Sequence, residues 1–212
     1  RGEVCGFRRQ QARLDGLARA ERAAVEPASV IGLEFPQSAV ESLAPPAVRT
    51  ELPAHLGTLT RKQFIRPAQS AGAELIYRFH HHLVRDTVYN GLLKRARANL
   101  HLEFVRWADR ANADSERGLA FEEILGYHLE QAHRYLRELG PLDAQGRATG
   151  SDAATRLSSA GRRAAATGLA LLGNRAGVIC SVAVSAQEHE MRIGIPKEIK
   201  NHEYRVGLTP GA

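Results

Sequence analysis

The chain has 212 residues, a formal net charge of +6, 43% hydrophobic and 25% charged residues, and only two cysteines, Cys5 and Cys180. This balance is that of a globular protein, and two distant cysteines without a CxxC exclude a disulfide framework or a zinc ribbon. A positive balance permits nucleic-acid or acidic partners, but the arginines are scattered without interleaved aromatics, so solvated helix faces are the expected reading.

Residues 1–10 show no convincing period. From Gln11 the pattern turns helical, with Leu14, Leu17, Val25 and Ile31 apolar, and Pro27 should end or kink this helix near Glu26. A short helix is expected over Pro36–Leu43. Pro45-Pro46 marks a turn that opens the next helix, and His55–Gln63 reads as one more. The period then changes. Phe64-Ile65-Arg66 and Leu75–Phe79 are short β-type runs around a linker, Pro67–Glu74, which predicts a hairpin after three helices. That order is the outline of a winged helix.

Leu83, Val84, Val88, Leu92 and Leu93 then form one apolar helical face, and Leu100, Leu102, Phe104, Val105 and Trp107 another. Residues 112–118 read as a loop. Phe121–Leu139 is a long amphipathic helix stopped by Gly140-Pro141, with His128 on or near its buried side. A further helix is expected from about Ala153 to Leu172. The expected fold class is mainly α: a winged-helix-like module over 11–111, then antiparallel tetratricopeptide-like helices over 112–173. Residues 174–190 lose the periodicity and read as a linker or out-of-frame segment. Met191, the single methionine, heads a new pattern and reads as a second start codon, with a short C-terminal β-strand after it. The start at Arg1 suggests a beginning inside a longer reading frame. No apolar run reaches the roughly 20 residues that span a membrane, and a reducing, cytoplasmic setting is expected.

Several segments in residues 11–172 carry a resemblance. Arg13-Leu-Asp-Gly-Leu is followed by Val30-Ile31-Gly32-Leu33-Glu34-Phe35, then by Gln63-Phe64-Ile65-Arg66-Pro67. Tyr77-Arg78-Phe79-His80-His81-His82-Leu83-Val84-Arg85-Asp86 comes next, then Arg97 to His101, then Glu123 to Tyr135. In order and spacing they resemble the winged-helix and helical region that follows the ATPase core in bacterial adenylate/guanylate cyclases with a STAND-type AAA ATPase. The resemblance implies that His81 matches a histidine that reaches the phosphates of a bound nucleotide, a task suited to a ring N–H. Arg85 and Asp86 match the family's Arg-Asp pair, with an ion pair or a helix-end contact as the expected role. The P-loop GxxxxGK[ST] and the cyclase catalytic domain are missing from this chain. No cofactor is therefore expected here, ATP or ADP belonging to the intact parent. The expected partner is an intramolecular ATPase core or another protein.

His80-His81-His82 invites a metal reading. Successive helical residues point about 100° apart, so three in a row cannot converge on one ion. His128 and His133 are five apart and miss the i,i+4 spacing of a zinc helix. A DNA-binding winged helix is an alternative function. Its would-be recognition helix, His55–Gln63, carries only Arg61 and Lys62 as cations, so nucleic acid is not the expected partner.

Residues 191–212, beginning MRIGIPKEIKNHEYRVGLTP, resemble the N-terminus of alanine dehydrogenase. That resemblance implies that Arg205 matches the arginine gripping the carboxylate of pyruvate or alanine. It also implies an alternative function, NAD-dependent oxidative deamination of L-alanine. The Rossmann fingerprint that would hold NAD is missing from this sequence, so neither piece contains a complete active site.

Overall fold

The structure is a computed structural model that describes residues 11–68, 74–111 and 118–166. The chain divides into two compact units, residues 1–160 and 161–212. Of the second, only residues 161–166 are described, and they are helical.

Residues 11–15 form a short helical turn. Then follow α1 (Arg19–Ile31), β1 (Glu34–Pro36), α2 (Gln37–Leu43), α3 (Pro46–Arg49), α4 (Leu52–Arg61), β2 (Ile65–Pro67), β3 (Ile76–Phe79), α5 (His82–Gly91), α6 (Lys94–Ala111), α7 (Gly118–Leu139) and α8 (Ala144–Ala166). The described chain is mainly helical with one small antiparallel sheet of order β1-β3-β2. β3 lies in the middle, with Phe35 opposite Tyr77 on one side and Ile65 opposite Phe79 on the other.

The core gathers around α1. Its Ala24, Val25, Ala28 and Ile31 join Phe35 and Phe79 of the sheet, Leu52, Leu56 and Leu59 of α4, Val84 and Val88 of α5, and Phe104 and Val105 of α6. Phe35 and Phe79 pack with ring centroids 5.3 Å apart, which fastens the sheet to the helices. Small residues on α1 let α2, α4, α5 and α6 all approach it.

The expected hairpin of Phe64–Arg66 and Leu75–Phe79 forms, as β2 and β3. The third strand, β1, was not foreseen, because a three-residue strand is too short to show a period. Several local readings are corrected by the structure. The helix expected from Gln11 breaks at residues 16–18, and α1 passes straight through Pro27 instead of ending at Glu26. Proline removes one backbone hydrogen bond, but Pro27 is buried in the core with Ala24 and Ala28 on the same helix, and that packing outweighs the loss. The helix expected from Ala153 begins nine residues earlier, at Ala144. Asp143 supplies the start: its carboxylate accepts from the Gly146 N–H at 2.7 Å, capping a stretch that two glycines had disguised as loop. Gly118, placed in a loop from sequence, is the first residue of α7. Leu93, placed on the apolar face of α5, is 78% exposed in the turn before α6.

α4 passes into β2 through a Schellman ending. Phe64 N–H reaches Leu59 O at 3.0 Å and Gln63 N–H reaches Thr60 O at 2.9 Å. Gln63 sits at φ 59°, a left-handed conformation that glycine usually fills.

Candidate functional site

The candidate site is the junction where β3 becomes α5. His80 N–H bonds Phe64 O at 2.9 Å, extending the pairing of the hairpin by one residue. His81 is extended, at φ −146° and ψ 141°, and caps α5: its Nδ1 accepts from Leu83 N–H at 3.1 Å. Because Nδ1 is the acceptor, the neutral ring carries its proton on Nε2. His81 is exposed, and its ring packs at a tilt against that of His82 with centroids 4.3 Å apart. Sequence reasoning picked His81, and the structure adds that the cap fixes its tautomer.

One turn on, Arg85 is buried. Its Nε donates to Ser29 O at 2.6 Å, a carbonyl in the last turn of α1 that has no partner within the helix. Its Nη1 pairs with Asp86 at 3.1 Å, and its guanidinium lies over Tyr89, 4.6 Å from the ring centroid. Both expected roles, ion pair and helix-end contact, are present, and a cation suits the negative end of a helix.

Behind Arg85 lies an arrangement that sequence reasoning missed. Tyr89 of α5 touches His101 Nε2 of α6 at 2.9 Å and Tyr135 Oη of α7 at 3.0 Å. His101 Nδ1 meets His128 Nδ1 across the α6–α7 contact at 2.8 Å, and both rings are fully buried. Arg97 and Arg134 each donate to Tyr135 Oη at 3.3 Å. Burial, then the charge of its neighbour His128 and of the surrounding arginines, holds His101 well below the ordinary histidine range. Burial, then Arg85, pushes His128 down to about 3. Burial and the bond to Tyr135 raise the Tyr89 phenol. Burial opposes ionisation of Tyr135 too, but its hydrogen bonds with Tyr89, Arg97 and Arg134 outweigh it and lower this phenol. The signal in the sequence was faint: His128, Gln131 and Tyr135 fall at i, i+3 and i+7 on one stripe of α7. Nothing in the sequence said that Tyr89 and His101 would face that stripe.

The other site expectations meet the structure unevenly. Among the described residues, no group of three or more His, Cys, Asp and Glu side chains is placed to hold a metal. Of the two cations on the would-be recognition helix, Lys62 is held at 2.7 Å by the buried Glu21 carboxylate, and Arg61 donates to Thr58. Arg205 and the alanine dehydrogenase-like segment lie outside the described residues. Among the described residues, no helix is long and apolar enough to cross a membrane. A 470 Å³ groove opens between α6 and α8, floored by Leu102, Val105 and Leu129. Its rim charges are internally paired, with Arg106 on Glu103 and Arg156 on Asp109 and Asp152.

Comparison of the chain with family models, curated proteins and solved structures finds no match in any of the three.

Proposed function

We propose that residues 11–166 are a non-catalytic regulatory module of a cyclase-linked STAND ATPase, in which a winged-helix-like part presents His81 to the nucleotide held by an ATPase core. The observation that carries this reading is the His81 cap: it places an exposed Nε2–H at the mouth of a helix N-terminus, where a donor and the helix dipole both favour phosphate. The element order supports the winged-helix part: helix, strand, three helices, then two strands, with the last strand central. α6 and α7 then pack as a helix pair, in keeping with a tetratricopeptide-like continuation. ATP or ADP is held by the core and not by this module, whose contribution is one hydrogen-bond donor and a rigid mount for it. Arg85 supplies that mount by tying α5 to the end of α1.

The test supplies the chain in trans to a STAND ATPase core lacking its own winged-helix segment. Release of a fluorescent ADP analogue is then timed. The chain should slow release, and His81→Asn should not, although asparagine keeps the helix cap. Release unaffected by the chain, or slowed equally by His81→Asn, refutes the proposal.

A further inference from the structure

The buried network of α5, α6 and α7 has a direction that its partners impose. Arg97 and Arg134 occupy the lone pairs of Tyr135 Oη, so the Tyr135 proton points to Tyr89. Tyr89 then donates to His101 Nε2, which puts the His101 proton on Nδ1, and Nδ1–H donates to His128 Nδ1. Every link needs both rings neutral. A proton added at His128 Nδ1 would place one N–H against another at 2.8 Å. A proton added at His101 Nε2 would reverse Tyr89 against an oxygen that already takes two arginine donors.

From this geometry we infer that the His101–His128 pair is an acid-operated latch, holding α7 on α6 while both rings are neutral and releasing it in mild acid. Among the described residues, the charged and titratable groups around it leave no counter-ion for a new cation. Arg85 and Tyr89 face it from α5, Arg97 from α6, and Arg134 and Tyr135 from α7. On the other helices against α6, Glu21 of α1 is tied to Lys62, Arg22 to Asp15, Glu26 faces Arg22, and Glu41 of α2 is exposed. α6 and α7 make the most extensive helix contact among the described residues, so the latch acts at the joint that matters most to this pair.

Proton linkage sets the size of the response. Each ring neutral in the latched state, and with an ordinary histidine affinity when released, favours release about 25-fold more at pH 5 than at pH 7, and both rings together about 600-fold. Trp107 is the single tryptophan, and it packs on Phe104, which packs on His128, so its emission reports the joint. Urea titrations of the full chain at pH 7 and pH 5, followed by Trp107, give the release constant. The parent should carry the full response of the pair. His128→Asn, whose amide oxygen can take the place of the Nδ1 acceptor but not a proton, should shrink that response by about 25-fold. Equal responses in parent and variant overturn the latch. If the variant does not fold, proton NMR of the parent decides. Both buried rings should remain neutral at pH 5 in the latched protein, and a ring that titrates near the ordinary histidine range without loss of structure overturns the proposal.

Discussion

Replacing Arg85 by leucine strips the one side-chain donor from the Ser29 carbonyl, removes the cation from the face of Tyr89, and ends the ion pair with Asp86. A hydrogen bond to a charged group contributes about 1.5–3 kcal/mol, and leaving its buried partner unsatisfied falls in the same range. The cation–π contact adds about 0.5–2 kcal/mol. Leucine offsets part of this, because no guanidinium then has to be desolvated. The net expectation is a loss of about 2–3 kcal/mol. Arg85→Lys keeps the charge without the planar fork and should lose about 1–2 kcal/mol. Urea unfolding at pH 7, followed by far-UV circular dichroism and Trp107 fluorescence together, measures both. A leucine variant within about 0.5 kcal/mol of the parent would refute the idea that this arginine holds α5 against α1.

Gln63→Gly should stabilise the chain by about 0.5–1 kcal/mol in the same urea assay, because Gln63 is left-handed at the end of α4; destabilisation would mean that its side chain is needed there. Glu21→Gln should cost about 1–2 kcal/mol at pH 7 through loss of the charged contact with Lys62. The bond to Lys62 lowers the Glu21 carboxyl below its ordinary 4.5, so its contribution is present above that value and fades as pH falls through the lower folded-state one. Parent and variant should therefore converge in stability toward pH 3, and a difference undiminished in acid would show that the pair is not what Glu21 contributes.

The sequence by itself determined the class of this fold and most of its elements. Helical period, the Pro45-Pro46 turn and the two β-type runs are local signals, and α2, α3, α4, α5, α6 and the hairpin lie close to where those signals placed them. It also singled out His81, through the resemblance carried by the segment from Tyr77 to Asp86. Tertiary structure decided the rest. Pro27 stays inside α1 because burial outweighs a lost hydrogen bond, which no propensity can foresee. β1 exists because β3 is there to pair with it. The tautomer of His81 follows from a bond to Leu83 N–H that exists only once α5 begins there. The His101–His128 pair is the clearest case: two histidines 27 positions apart meet at 2.8 Å because α6 and α7 pack antiparallel. A one-dimensional pattern carries which face of a helix is apolar, but not which polar groups on two facing stripes come into register.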